Sequence, residues 1–192
     1  MQICPKTACF KEIEIALSPN RDARPIGPMG AISLLVIHGI SLPPSEFGGR
    51  AIHDFFLNRL DSNAHPYYQE IHTLKVSAHL LINRQGVVTQ FVPFSERAWH
   101  AGCSSFITKN GPRTQCNDFS IGIELEGTDF LPYTLEQYLS LSACTKAIMQ
   151  TYPEITLETI VGHSDIAPGR KTDPGPHFDW ASYRMGLFDL VI

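Results

Sequence analysis

The stretch AISLLVIH, Ala31 to His38, is a short apolar run that stops abruptly at a histidine. A continuous, β-branched run of that length predicts a strand covered on both faces, which requires packed layers above and below it. Downstream, SLPPSEFGG is followed by RAIHDFFLNRL, where Ile52, Phe55, Phe56 and Leu60 recur at helical spacing and predict a helix with one buried stripe. AHLLINRQGVVTQFV predicts two strands joined by a tight turn at Arg84, Gln85 and Gly86. In FSIGIELEG, Ile121, Ile123 and Leu125 alternate with Gly122, Glu124 and Glu126, the two-residue period of a strand. TLEQYLSLSACTKAIMQTYP opens with Thr134 and Gln137 at capping-box spacing and stops at Pro153, predicting a helix of about five turns. TLETIV predicts another short strand, and FDWASYRMGLF a closing helix. Interleaved in this way, the elements predict an α/β fold with a mixed central β-sheet flanked by helices.

With 192 residues, 43% of them hydrophobic, the chain can bury one sizeable core, and no repeat, low-complexity tract or linker divides it. We therefore expect a single domain over residues 1–192, with its core about residues 31–183. The net charge of -4 and the lack of any Lys/Arg-rich run argue against a nucleic-acid partner. No segment approaches the roughly 18 apolar residues of a membrane span, and the N-terminus has no apolar core of signal-peptide length. The expectation is a cytoplasmic monomer with no membrane association. The five cysteines, at positions 4, 9, 103, 116 and 144, contain no C-x-x-C pair, which argues against a disulfide framework and a thiolate zinc site.

The chemistry gathers at strand ends. LLVIH ends in His38, TIVGH in His163, and GIELEG carries Glu124 and Glu126. Ligand crevices in open α/β sheets form at the carboxyl ends of strands, so two imidazoles and a carboxylate can meet there. His163 is the third residue of VGHSDIAPGRKTDPGP, Val161 to Pro176, whose three Pro and three Gly describe an irregular loop held in one shape, neither helix nor strand. Asp173 from this loop completes a two-His, one-carboxylate set, which suits zinc and leaves a fourth tetrahedral position open for water. On spacing alone the alternative is histidines bonded to backbone, because the three residues are scattered along the chain. Glu124 sits mid-strand on the side opposite the apolar residues, where a charge is costly unless something polar lies above it. A carboxylate there can act as general base and acid. Glu126, beside Gly127, is expected to be solvated. Lys171, two residues before Asp173, projects to the same side of an extended segment and can stabilise an oxyanion.

With these residues in hand, the sequence resembles the zinc-dependent N-acetylmuramoyl-L-alanine amidases of the amidase_2 family, most nearly its cytoplasmic members. The resemblance runs through LVIHGISLPPSEFGG, HPYY, VSAHLLINRQG, VPFSERAWHAG, CNDFSIGIELEGTDFLPYT and GHSDIAPGRKTDPGPHFDW. It implies zinc (Zn2+) on His38, His163 and Asp173, general acid/base work by Glu124, and transition-state stabilisation by Lys171. It also implies a fold similar to peptidoglycan recognition proteins. The implied substrate is an anhydromuropeptide from cell-wall recycling, cut between the lactyl group and L-alanine. Trp99 and His100 would line the sugar–peptide groove, and Tyr67 and Lys75 would approach the stem peptide. Gly39 departs from the Asn usual after the first ligand, and Gln115 from the Arg frequent before CND, where Arg113 is expected to compensate. The competing readings are an amidase acting on the intact wall and a non-catalytic muropeptide-binding protein.

Overall fold

A computed structural model describes residues 1–109 and 111–188; Asn110 and the last four residues of the expected domain lie outside the described residues. In chain order the strands and helices begin with β1 (Ile3–Cys4), β2 (Cys9–Phe10), β3 (Glu14–Ile15), β4 (Arg21–Ala23) and β5 (Leu34–Ile40). There follow α1 (Ala51–Phe56), α2 (Pro66–Ile71), β6 (Leu80–Ile82), β7 (Val88–Gln90), β8 (Glu96–Ala98), β9 (Ser105–Thr108) and β10 (Gly111–Thr114). The chain then forms β11 (Ser120–Glu126), α3 (Leu135–Thr151), β12 (Ile160–Gly162), α4 (His163–Ile166) and α5 (Trp180–Phe188).

The central sheet has the strand order β12-β5-β11-β6-β7-β3. β12, β5, β11 and β6 run parallel, β7 pairs antiparallel with β6, and β3 parallel with β7. The sheet is mixed, as expected, and β3 extends it to residues before the anticipated core. Leu35, Ile37, Ile121, Ile123 and Leu125 project from one face into a core closed by Leu141, Cys144 and Ile148 of α3 and by Phe178 and Tyr183. On the opposite face, Leu81 packs with Phe55, Phe56 and Tyr68 of α1 and α2, while Leu34 and Val36 meet Phe119 and Ile166. Burying both faces explains why the β5 sequence is continuously apolar rather than alternating.

Local chemistry sets the element ends. Thr134 caps α3, accepting from the Gln137 N–H at 3.1 Å while the Gln137 side chain accepts from the Thr134 N–H at 3.1 Å. Gly86, at φ +76°, makes the β6–β7 turn that the sequence anticipates. Three boundaries differ clearly from the sequence reading, the first being α1, which stops at Phe56, short of Leu60, as the chain turns at Asn58 with φ +58°. TLETIV holds a 3-10 turn, Leu157–Thr159, before the strand starts at Ile160, because the Thr156 N–H is satisfied by Thr159 Oγ1 at 2.8 Å. The loop opening at Val161 is not wholly irregular: it starts with one helical turn, α4, whose Asp165 carboxylate accepts from the Gly162 N–H at 2.7 Å.

Candidate active site

The parallel register of β5 and β11 sets Glu124 directly beside His38. Side chains alternate across a strand, so His38 and Glu124 leave the sheet on the face opposite Ile37, Ile123 and Leu125, as read from the sequence. β5 continues two residues beyond His38, so this histidine lies within the strand rather than at its end. His163 begins α4 immediately after β12, the strand on the other side of β5. Asp173 returns to the same point because the Ser164 N–H donates to its carbonyl at 3.0 Å and the Tyr133 hydroxyl donates to the Pro174 carbonyl at 2.9 Å. That hydroxyl would lie 2.4 Å from a Cβ on Gly39, so the glycine after the first histidine makes room for the tyrosine that holds the loop.

Three donor atoms converge. His38 Nδ1 lies 3.0 Å from His163 Nδ1 and 3.2 Å from Asp173 Oδ2, and His163 Nδ1 lies 3.0 Å from the same oxygen. His38 is 1% exposed and His163 5%. Three lone-pair atoms aimed at one buried point repel one another unless a cation or shared protons lie between them. Two imidazole nitrogens and a carboxylate oxygen are a normal zinc donor set with room for a further ligand, so the residues present fit that metal.

The electrostatics of the three donors and of Glu124 follow from their burial and their closeness to one another. Burial pushes His38 down to about 4, only partly opposed by its contact with Asp173, so its ring is neutral, the charge state in which an imidazole ligates a metal. Burial acts to raise the Asp173 carboxyl, but hydrogen bonds with His163 and His38 outweigh it and hold the group well below the usual carboxylate range. Burial, reinforced by the charge of Asp173, pushes Glu124 well above that range, with Lys171 pulling the other way. Glu124 Oε2 is buried and has no hydrogen-bond partner among the described residues, nor has His163 Nε2. A buried unpaired carboxyl oxygen is costly, and at a cleft it marks a place where a missing partner belongs.

Glu124, His163, Lys171 and Asp173 share a cleft with Tyr67 and Trp99. Lys75 lies in an adjoining recess with Trp99 and Lys171, joined there by Arg170, which the sequence reading did not single out. His100 also borders the cleft, yet both of its ring nitrogens turn inward: Nδ1 lies 2.9 Å from His38 Nε2, and Nε2 3.1 Å from Ser120 Oγ. Glu126 is not solvated. It is 3% exposed, because its Oε1 accepts from the Gly48 N–H at 2.5 Å and its Oε2 from the Arg84 N–H at 3.0 Å. The Arg113 guanidinium lies 3.7 Å over the Phe119 ring and donates to the Met29 carbonyl at 2.8 Å. Tyr133 and Ser120, both tied to the site, had no local sequence signal, since their partners lie far along the chain.

Residues 28–176 match the family model described as N-acetylmuramoyl-L-alanine amidase. The 1,6-anhydro-N-acetylmuramyl-L-alanine amidase AmpD of Haemophilus influenzae is 55% identical over 166 residues, 86% of this chain and 87% of its own. The protein of the same name from Escherichia coli is 54% identical over 168 residues, 88% of each chain. Among solved structures, a crystal structure of a selenomethionine AmpD derivative superposes with a TM-score of 0.90 at 51% identity, covering 97% of this chain and 99% of that one. With the family model spanning most of the sequence and both relatives covered over more than four-fifths of their length, the chain belongs to the N-acetylmuramoyl-L-alanine amidase family.

Proposed function

We propose that this protein hydrolyses the amide bond between the lactyl group of anhydro-N-acetylmuramic acid and the L-alanine of the stem peptide, using zinc held by His38, His163 and Asp173. The observation that carries the mechanism is the buried Oε2 of Glu124, without a partner among the described residues, on a side chain in register beside His38 that lines the same cleft. Zinc in such a site polarises a carbonyl and lowers the pKa of water to about 7. Glu124 takes a proton from the attacking water at Oε2 and passes it to the alanine nitrogen as the C–N bond breaks. The products are a lactyl carboxylate and a free amine. A cation among the three donors favours ionised Glu124, whereas burial and Asp173 favour the protonated form, and these opposed influences suit a group that must do both.

Lys171, on the exposed rim of the cleft, carries a positive charge toward the oxyanion that develops on the carbonyl. Trp99 and Tyr67 supply aromatic walls for the sugar and peptide, and Lys75 a cation for stem-peptide carboxylates. The anhydro sugar is supported by the names of the two relatives at 54% and 55% identity. It is supported too by a structural neighbour 30% identical, AmiD of Escherichia coli in complex with anhydro-N-acetylmuramic acid-L-Ala-D-γ-Glu-L-Lys. We place the reaction in the cytoplasm, on released wall fragments, with the chain acting as one monomeric amidase domain. No helix among the described residues is long and apolar enough to cross a membrane.

The test is to incubate the zinc-loaded protein with an anhydromuramyl tripeptide and follow free tripeptide by mass spectrometry. We expect stoichiometric release of tripeptide and anhydromuramic acid, abolished by a chelator and restored by zinc. Saturable binding without product would instead identify a muropeptide-binding module.

A further inference from the structure

We infer that His100 is a positioning residue for the metal centre, fixing the tautomer of His38 so that Nδ1 is left free to ligate. The inference rests on the zinc reading above and extends it to a residue that touches neither the three-donor point nor, through its nitrogens, the cleft. His38 presents Nδ1 to His163 and Asp173, and its other nitrogen, Nε2, lies 2.9 Å from His100 Nδ1. An imidazole that ligates through Nδ1 must carry its proton on Nε2. His100 Nδ1 must then be an acceptor, so the His100 proton resides on Nε2, where Ser120 Oγ waits at 3.1 Å. Every role in this short relay follows from the first, and each points the same way, from His38 through His100 to Ser120.

The surroundings fix His100 in that role. Its backbone N–H donates to Asn117 Oδ1 at 3.1 Å, and the N–H of Ala101 donates to the same oxygen at 2.6 Å. Its ring stands nearly perpendicular to that of His38, at 88° with centroids 5.0 Å apart. The space that it fills exists because residue 122 is glycine: a Cβ there would lie 2.6 Å from both Cγ and Nδ1 of His100. Ser120 and Gly122 share the β11 face with Glu124, so one strand supplies the end of the relay, the gap for its middle member and the unpartnered carboxyl. A histidine placed for substrate would leave a ring nitrogen facing the cleft, and His100 leaves none.

The experiment compares His100→Asn, whose amide oxygen falls near the position of Nδ1, with His100→Gln, whose oxygen falls near Nε2, and with His100→Leu, which offers no acceptor. Zinc affinity is measured by competition with a chromophoric chelator, and KM for an anhydromuramyl tripeptide is measured at saturating zinc. Loss of an outer partner of a ligating histidine typically weakens metal binding about 10–100-fold. That loss is expected for Leu and Gln, with Asn within about threefold of wild type and KM little changed in all three. If Leu does not fold, the contrast between Asn and Gln decides the question. Wild-type zinc affinity in both Gln and Leu, equal losses in Asn and Gln, or a rise in KM without a change in zinc affinity would overturn the inference alone. A wild-type protein that takes up no zinc would overturn both this inference and the zinc reading.

Discussion

Glu124 and Glu126 are the same residue type, two positions apart on the same face of β11, and their surroundings give them opposite roles. Glu126 has both oxygens engaged by backbone N–H groups, from Gly48 in the loop after β5 and Arg84 in the β6–β7 turn. It is a clip joining two loops to the end of the sheet, with no oxygen left for a substrate. Glu124 has an oxygen with no hydrogen-bond partner among the described residues, beside three converging donors and within the field of Lys171. Function follows the unsatisfied group, because a carboxylate already holding two N–H donors gains little by taking a proton.

The largest effects fall on the donors that give Glu124 its setting. His163→Ala should strip the metal and reduce turnover to background. Stoichiometric zinc in a His38→Ala/His163→Ala double variant would place the metal elsewhere. Next come the paired carboxylates: Glu124→Gln should retain zinc and lose turnover by about 10²–10⁴-fold. Glu126→Gln should keep most of its turnover, and equal kinetic losses would erase the distinction between the two. Lys171→Ala should lower kcat with zinc content near normal, at a cost of about 2.7–4 kcal/mol if it acts as a preorganised oxyanion donor. Unchanged kcat would leave the oxyanion to the metal. A smaller effect reverses the comparison: Glu126→Ala should lower thermal stability by about 1–3 kcal/mol, because two loop N–H groups lose their acceptor, whereas Glu124→Ala should not.

Acid should act on the metal-free protein through its histidines. Burial depresses His38 to about 4 and holds His79 and His100 well below the ordinary value. The unfolded chain binds these protons below about pH 6.5. The native state does not, so stability falls as pH drops from about 6.5 toward 4. Glu124, whose raised carboxyl takes up its proton in the native state before the unfolded chain does, acts in the opposite sense but is one group against three, so thermal melts of metal-free protein over that interval should show a falling Tm, and a rising Tm would contradict the depressed rings.

Much of this was legible in sequence, for identifiable reasons. β5 and β11 announce themselves by an apolar run and by alternation, and α3 by the Thr134–Gln137 cap, all of which are local signals. Alternation also put Glu124 on the polar side of its strand. What could not be read depends on distant neighbours. Glu126 looks solvated until Gly48 and Arg84 arrive, 78 and 42 residues away. His100 meets His38 across 62 residues, and Tyr133 meets Pro174 across 41. Short elements were missed for a different reason: α2, six residues from Pro66 to Ile71, and the β9–β10 pair, with Pro112 in one strand, are too brief to establish a period.

The central claim, that Glu124 carries a proton under the influence of the three-donor site, can be tested on the group itself. With carboxyl-labelled glutamate, carbon NMR can follow its titration, the resonance being assigned by its loss in Glu124→Gln. The account predicts a carboxyl still protonated above the ordinary range of about 4.3 in the metal-free protein, whose apparent pKa falls when zinc is added. A Glu124 that titrates as an ordinary exposed glutamate, unmoved by zinc, would contradict it.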